Sequence, residues 1–477
     1  MDQLQLSTSL FDALDAGGVD YTHWKSNEHL HAAVRGQTDL DLLIRAEHRE
    51  TFRSIVEERG FVAMLAREVR RVPGLESFLG FDETTGSLLH LDVHYRLVLG
   101  EQAIKNHHLP VEDWLLAESS RLEGVRIPAP PREFLLLYVR AMLKTTGRQF
   151  LRSRIKGGSP LPDRILKEAR WLGDQVDDAS LVAAAETSGL GVTADEVAEF
   201  HRRAGDADID WRYVLDRKRS LRKRLRRYER LPRYRAVPKR LWLRFRSTRP
   251  AKRLGWGIPP RHLPGAAPLI AVVGADGAGK SRLTRDLESW LGWKLTVRHI
   301  YFGQPKTGVV FKVLNKPGSM ARKSGGGGVF GRVARYTDAL KWMMLARKRR
   351  NMADSARAAS HAGEVVIAER FPLREFHSMD TPMDGPRLRP GDPLAGLELS
   401  QYAAIDAPDL TLVLDTDVDI LRDRKLDLTV EEHHAKVDAI RSLAPGPGRI
   451  VIDAGRAYEQ VLLDAKTATW RAILEDR

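Results

Sequence analysis

A glycine-rich stretch from Gly274 to Ser281 restricts what this chain can fold into more than any other part of its sequence. The stretch fits the pattern G-x-x-x-x-G-K-[ST], in which backbone N–H groups of a loop surround phosphate oxygens. Its glycines allow a tight turn, Lys280 supplies a mobile positive charge for phosphates, and the hydroxyl of Ser281 can ligate Mg²⁺. The residues predicted to bind the phosphate-bearing cofactor are Gly274, Gly277, Ala278, Gly279, Lys280, Ser281 and Arg282.

The residues on either side of this loop agree with the prediction. Residues 269–273 form a short apolar run, which indicates a buried parallel strand. After the loop, Leu283, Leu287 and Leu291 are spaced as one face of a helix. A strand, a loop and a helix in this order place the helix N-terminus, with its partial positive charge, at the phosphates. This half of the chain is therefore predicted to bind a nucleoside triphosphate.

Composition limits the class of protein. A chain of 477 residues with 43% hydrophobic and 29% charged residues is expected to be soluble and to form two to four globular domains. It has no run of 18 apolar residues and no basic, then apolar, stretch at its start, so neither a membrane span nor a secretory signal is predicted. Because cysteine is absent, disulfides, thiol catalysis and cysteine metal sites are excluded. These features predict a cytoplasmic protein.

Positive charge is concentrated between Arg217 and Arg253. This segment holds 18 Lys and Arg against a single acid, Glu229. Its own net positive charge therefore exceeds the net charge of the whole chain, which is +14. Aromatic residues lie among the cations, and residues 239–246 alternate basic and apolar side chains. Three interpretations stay open: a solvated, partly helical connector, a surface for anionic lipid at the inner face of the membrane, and, less favoured, a nucleic-acid surface.

Changes in pattern divide the chain into four regions. We expect an α+β domain at 1–125, a mostly helical region at 126–230, the basic connector at 231–264 and the nucleotide-binding domain at 265–477. Prolines at 128, 130 and 131 end the first region. The glycine run at 324–328 predicts a mobile loop.

Further segments of the C-terminal half follow the loop in a recognisable order. Residues 364–368 predict a buried strand that ends at Glu369, Arg370 and Phe371. Residues 408–415, in the order P-D-L-T-L-V-L-D, predict another strand, followed by a helix that carries Arg422 and Arg424. With a last strand and helix from 449 onward, these segments resemble the thymidylate kinase family of P-loop kinases over about residues 268–475. The resemblance implies an α/β fold with a parallel sheet flanked by helices, and it implies use of ATP and Mg²⁺.

The resemblance also implies roles for single residues. Arg370 would hold the phosphate of the acceptor, and Asp276 would accept a hydrogen bond from the acceptor's sugar hydroxyl. Arg422 and Arg424 would close over the transferring phosphoryl group, and Glu369 would orient Mg²⁺ or the acceptor.

The acceptor itself is less well defined by the resemblance. The family's Tyr-Gln pair near the thymine is absent from residues 373–387. Four basic residues occupy the helix that should offer an arginine to the base, and spacing does not choose among Arg347, Lys348, Arg349 and Arg350.

The N-terminal half carries carboxylates in a strand pattern. Asp39 and Asp41 stand two apart at the start of an apolar run, so they point to the same face of a strand, and Asp92 lies within another apolar run. Three carboxylates on adjacent strands predict an oxygen-rich Mg²⁺ site suited to nucleotidyl transfer. His90 and His94 share the strand face of Asp92 but are expected to pack or form hydrogen bonds.

This pattern resembles that of the nucleotidyltransferase superfamily, in which Asp-x-Asp follows a glycine and a third Asp comes later, over about residues 10–125. The resemblance implies metal ligation by Asp39, Asp41 and Asp92. It departs from the superfamily at Gln37, where a phosphate-holding serine is usual. Aspartates that cap turns in a non-catalytic domain are the alternative.

Together these features predict ATP- and Mg²⁺-dependent phosphoryl transfer to a nucleoside monophosphate or a similar phosphorylated acceptor. Two alternatives remain. One is a bifunctional enzyme whose N-terminal site moves nucleotides onto a sugar or sugar phosphate in polysaccharide synthesis. The other is a nucleotide-binding scaffold at a membrane surface.

Overall fold

The chain forms two compact units, Met1–Pro260 and Arg261–Arg477, in a mixed α/β architecture. The computed structural model describes residues 3–101, 103–254, 260–303, 328–377, 384–424, 429–443 and 446–475. Residues 324–327 of the predicted glycine-rich loop lie outside these ranges.

The first unit contains a five-stranded sheet. Its strands are β1 (Tyr21–His23), β2 (Leu40–Ile44), β3 (Val62–Met64), β4 (Leu75–Asp82) and β5 (Ser87–His94). They lie in the order β1-β2-β5-β4-β3; β2 and β5 run parallel and the other neighbours run antiparallel. Two hairpins follow: β6 (Leu97–Leu99) with β7 (His107–Leu109), and β8 (Ser119–Leu122) with β9 (Val125–Pro128).

Helices make up the rest of the first unit. They are α1 (Gln5–Ala16), α2 (Leu30–Ala33), α3 (Arg49–Glu58), α4 (Glu112–Leu116), α5 (Pro130–Lys144), α6 (Gly147–Lys156), α7 (Asp163–Gly173), α8 (Asp178–Thr187), α9 (Ala194–Gly205), α10 (Trp211–Arg224), α11 (Arg233–Arg246) and α12 (Arg249–Arg253). Helix α5 is buried along nearly its whole length and packs against α7, α8 and α10. One hydrophobic core joins these helices to Trp24 and to Leu43 of β2. The predicted boundary at residue 125 therefore does not separate two cores.

The basic segment belongs to the first unit. Val214 and Leu221 of α10 are buried in its helical core, and Arg217 and Arg224 form ion pairs with Glu199 and Glu196 of α9. Helices α11 and α12 follow. The end of the predicted connector needs correction, because Leu263 donates a backbone hydrogen bond to Gly363 of the second unit.

The second unit is built on a five-stranded sheet in which every neighbouring pair is parallel, as the sequence predicts. Its strands are β10 (Leu269–Gly274), β11 (Val297–Tyr301), β12 (Val365–Glu369), β13 (Leu410–Asp415) and β14 (Arg449–Asp453), in the order β11-β12-β10-β13-β14. The helices are α13 (Lys280–Gly292), α14 (Gly328–His361), α15 (Ala395–Ala403), α16 (Val418–Arg424), α17 (Val430–Arg441) and α18 (Tyr458–Glu475).

The order of these strands positions a site. Strand β10 is central, and the chain adds β11 and β12 on one side of it and β13 and β14 on the other. In open parallel sheets, ligands bind beyond the carboxyl ends of the strands where the strand order reverses. The loop after Gly274 and the residue Arg370 lie at this place.

Within the described residues, no helix combines the length and the apolar character needed to cross a bilayer.

Candidate active site

The glycine-rich loop connects β10 to α13 in a conformation that depends on its glycines. All six residues of β10 are buried. A Cβ on Gly274 would lie 3.0 Å from the backbone oxygen of Leu414 in β13, so the close approach of the two strands leaves no room for a side chain. Gly277 and Gly279 have φ of 100° and 91°, which favour glycine. Because α13 begins at Lys280, the N–H groups of its first turn adjoin the loop.

Lys280 is held inside the loop. Its ammonium donates hydrogen bonds to the backbone oxygens of Gly274 at 2.8 Å and Ala275 at 2.7 Å, and only 7% of the residue is exposed. Burial lowers the pKa of Lys280 to about 8, although the carboxylate of Asp276 partly offsets this effect. The hydrogen-bond acceptors of Lys280 are two neutral carbonyls, and phosphate oxygens would supply anionic ones.

Ser281 and Glu369 form a polar pair at the loop. The hydroxyl of Ser281 donates to the Oε1 of Glu369 at 2.6 Å, and Glu369 is buried at the end of β12. A hydroxyl and a carboxylate are the hard oxygen donors that Mg²⁺ prefers. The residues present therefore fit this ion.

One carboxylate and three cations form a group that we call the Asp276 cluster: Asp276, Lys280, Arg370 and Lys436. The Oδ1 of Asp276 accepts a hydrogen bond from Arg370, and its Oδ2 accepts one from Lys436 at 2.8 Å. Lys280 lies 3.8 Å from the same carboxylate. Burial alone would raise the pKa of Asp276, but the hydrogen bond from Lys436 and the charges of Arg370 and Lys280 hold it well below its usual range. The carboxylate is ionised and orients two cations.

Arg370 has a left-handed backbone conformation immediately after β12, with φ of 60°. Such a conformation is uncommon for residues other than glycine and is often found at functional sites. It accompanies a guanidinium that contacts Asp276 and also Asp384, at 3.4 Å.

The structure singles out Arg349 from the four basic residues on α14. Its guanidinium donates to the backbone oxygen of Phe302, the hydroxyl of Tyr402 and the carboxylate of Asp384, each at 2.8 Å. Only 2% of Arg349 is exposed. Asp384 therefore joins Arg349 to Arg370, a link that sequence spacing does not reveal.

Lys436 is a site residue that sequence reasoning missed. It lies on α17 between the buried residues His433 and Val437. A lysine on the buried face of a helix is unusual, and this was the available signal.

The Asp276 cluster and Asp384 line one cleft in the second unit. Its walls are formed by Val273, Gly274, Ala275, Asp276, Lys280, Arg370, Phe371, Phe376, Asp384 and Lys436. Charged side chains thus lie beside two aromatic rings.

Two predicted arginines lie elsewhere. The guanidinium of Arg282 stacks on the ring of Tyr458, 3.6 Å from its centroid, and Arg422 is exposed on α16. Neither lines the cleft. The side chain of Arg424 lies outside the described residues.

The predicted acidic site in the first unit has a different composition from the expected one. Asp41 and Asp92 are register partners on the parallel strands β2 and β5. However, Asp41 forms an ion pair with Lys25 at 2.6 Å, and His90 takes its place beside Asp39 and Asp92. The Nδ1 of His90 lies 2.8 Å from Asp39 and its Nε2 lies 3.5 Å from Asp92. We call Asp39, His90 and Asp92 the Asp–His–Asp cluster.

Neighbouring side chains hold this cluster in place. The hydroxyl of Ser77 donates to Asp92 at 2.7 Å. The ring of His94 packs edge-on against Trp24, and burial lowers the pKa of His94 to about 3, so His94 is neutral beside Asp41.

The chain is 30% identical over 244 residues to YghR of Escherichia coli K12, described as an uncharacterized ATP-binding protein, and the match covers 46% of this chain and 92% of that protein. The same values hold for YghR of E. coli O6:H1. The chain belongs to the YghR family of ATP-binding proteins.

No protein-family model matches this YghR relative. Among solved structures, a thymidylate kinase from Candida albicans is similar over 42% of this chain and 90% of the kinase chain, with 14% identity and a TM-score of 0.29.

Proposed function

We propose that the second unit transfers the γ-phosphoryl group of ATP to a phosphorylated acceptor, a nucleoside monophosphate or a similar molecule. The observation that carries this proposal is the Asp276 cluster. It brings the lysine of a phosphate-binding loop and two further cations, Arg370 and Lys436, to one carboxylate in one cleft. The ATP-binding description of the YghR relatives supports ATP as the nucleotide.

The donor side of the cleft is the glycine-rich loop. Loop N–H groups and the N-terminus of α13 would bind the phosphates of ATP, and Lys280 would leave the carbonyls of Gly274 and Ala275 for phosphate oxygens. Ser281 and Glu369 would hold Mg²⁺, which supplies neutralising charge for the phosphates when it is bound.

The acceptor side is formed by Arg370 and Lys436. The guanidinium fork of Arg370 matches two oxygens of a phosphate, and Asp276 keeps both cations oriented before the acceptor binds. Phe371 and Phe376 offer apolar walls for the rest of the acceptor. An oxygen of the acceptor phosphate then forms a bond to the γ-phosphorus while the bond from that phosphorus to the oxygen of ADP breaks. Arg370 and Lys436, which Asp276 already orients, would stabilise the negative charge on the transferring phosphoryl group.

A screen with γ-labelled ATP and Mg²⁺ tests the proposal. The acceptors are ribonucleoside and deoxyribonucleoside monophosphates and sugar phosphates, and Lys280→Ala is the control for contaminating kinases. We expect label on an acceptor with the native chain and none with the variant. ATP binding without transfer to any acceptor would favour the scaffold interpretation instead.

A second function is favoured by the Asp–His–Asp cluster. We propose that the first unit binds a divalent metal and transfers a nucleotide to a sugar or sugar phosphate. Because one ligand is an imidazole, the donor set suits Mn²⁺ or Zn²⁺ better than the predicted Mg²⁺. A screen with α-labelled nucleoside triphosphates and sugar phosphates in the presence of each metal tests it. Release of labelled monophosphate linked to no acceptor, or no reaction with any metal, counts against this function.

A further inference from the structure

Helix α11 exposes an apolar stripe. The stripe consists of Tyr234, Val237, Leu241, Trp242 and Phe245. Successive members are three, four, one and three residues apart, so all five lie along one side of the helix. Tyr234 is 72% exposed, Leu241 57% and Phe245 50%. A helix normally turns such a face toward a core.

Another side of α11 is anchored to the first unit. Leu243 is buried, with 3% of its surface exposed. The guanidinium groups of Arg240 and Arg244 form ion pairs with the same carboxylate, that of Glu101, at 3.2 and 2.9 Å. The anchored side fixes the rotation of the helix, and the apolar stripe therefore faces away from the core of the first unit.

The helix is also strongly basic. Its 14 residues contain six Lys and Arg and no acid. Arg240 and Arg244 meet Glu101, while Arg233, Arg235, Lys239 and Arg246 flank the apolar stripe. The guanidinium groups of Arg235 and Arg246 lie near the rings of Tyr234 and Trp242. Cations therefore border the exposed apolar side chains.

We propose that α11 lies flat on an anionic membrane surface, with the apolar stripe at the boundary between headgroups and acyl chains. A helix with Trp, Phe and Leu on one face and Lys and Arg around it binds such an interface. Its length of about 21 Å is too short to span a bilayer. Nucleic acid would need the cations but not the stripe, because its affinity comes from phosphates.

The surface continues along the chain. Helix α12 contributes Arg249 and Arg253, and Leu254 after it is 64% exposed. Each cation near an anionic bilayer strengthens binding about fivefold, so the cations of α11 and α12 would add to the affinity of the apolar stripe.

Flotation of the full chain with lipid vesicles tests the proposal. Vesicles of phosphatidylcholine alone are compared with vesicles that also contain phosphatidylglycerol. Leu241→Ser combined with Trp242→Ser removes part of the stripe, and Arg235→Gln combined with Lys239→Gln removes two cations. Leu397→Ser is the matched control, because Leu397 on α15 is exposed to the same degree, 55%.

We expect flotation with anionic vesicles only. The stripe variant should bind at least about tenfold more weakly and the charge variant about 25-fold more weakly, with the control unchanged. Brominated lipids should quench a fluorescence component that is missing from Trp242→Phe. Melting temperatures check that the variants are folded.

Three results would overturn the proposal. The native chain fails to float with anionic vesicles, the stripe variant binds them as the native chain does, or Trp242 is not quenched. Binding of RNA or DNA that is lost in the charge variant but unaffected in the stripe variant, with no flotation, would assign the surface to nucleic acid.

Discussion

The guanidinium of Arg370 donates a hydrogen bond to the carboxylate of Asp276, 94 positions earlier in the chain. Asp276 lies in the loop after β10, and Arg370 is the first residue after the neighbouring strand β12. The parallel pairing of the two strands brings their ends together. One carboxylate thus links the phosphate-binding loop, which would hold the donor, to the arginine that would hold the acceptor.

Lys280→Ala should leave a folded protein that transfers no phosphoryl group. The substitution removes a buried ammonium whose partners are backbone oxygens, so ATP loses its main cationic contact in the loop. We expect turnover to fall by at least about 100-fold, the size of effect seen when one donor to a developing charge is removed. Calorimetry with ATP and a turnover assay measure the two effects. Native turnover in this variant would refute the kinase assignment.

The kcat/KM for ATP should fall as the pH rises above about 8. Burial lowers the pKa of Lys280 to about 8, so the free protein loses this charge there, and kcat/KM reports groups of the free enzyme. Bound phosphates favour the charged form, and kcat should decline only at higher pH. In Lys280→Arg, any residual kcat/KM for ATP should not fall as the pH rises above about 8. An unchanged fall in that variant would assign the pKa to another group.

Arg370→Lys should damage acceptor use much more than ATP binding. A lysine retains the charge but cannot make a bidentate contact with phosphate. We expect kcat/KM for the acceptor to fall by about 10- to 100-fold and the Kd for ATP to change little. Arg298→Lys, which alters the Arg298–Glu364 ion pair elsewhere in the sheet, is the matched control. Equal losses for both substrates would make Arg370 a structural residue.

Glu133→Gln should flatten the pH dependence of stability in the first unit. Glu133 is buried against Asn27, and burial raises its pKa to about 8. Between about 4.5 and 8 the unfolded chain has lost this proton and the folded chain keeps it. The contribution of Glu133 to stability is therefore full below about 4.5 and is lost as the pH rises, with a slope of up to about 1.4 kcal/mol per pH unit.

Denaturant unfolding of the native chain and the variant at several pH values measures this slope. Glu118→Gln, at an exposed position, should behave like the native chain. Parallel curves for the native chain and Glu133→Gln would show that Glu133 ionises normally.

Mn²⁺ or Zn²⁺ should raise the melting temperature of the first unit in the full chain without nucleotide. A metal bound only by the folded state stabilises it. Asp92→Asn should abolish this gain, whereas Asp41→Asn should retain most of it, because Asp41 is paired with Lys25 and lies outside the Asp–His–Asp cluster. Asp113→Asn, on the surface, is the control. Loss of the gain in both Asp41→Asn and Asp92→Asn would restore the ligand set predicted from the sequence.

Local patterns were enough to predict parts of the site. The glycine-rich loop, the strand before it and the helix after it follow from neighbouring residues, since glycine sets the backbone and apolar spacing sets the element. The position of Arg370 at the end of a buried strand was predicted in the same way. The choice of Arg349 among four basic residues was not, because it depends on which side of α14 meets Tyr402 and Asp384.

The sequence by itself determined the phosphate-binding loop, the parallel sheet around it and the local concentration of positive charge, because each is written in residues close together in the chain. Only the tertiary structure decided that Lys436 joins Asp276, that His90 replaces Asp41 beside Asp39 and Asp92, and that the apolar side of α11 faces outward. These outcomes depend on contacts between distant segments. Strand order, register and helix rotation fix such contacts, and short-range sequence patterns do not encode them.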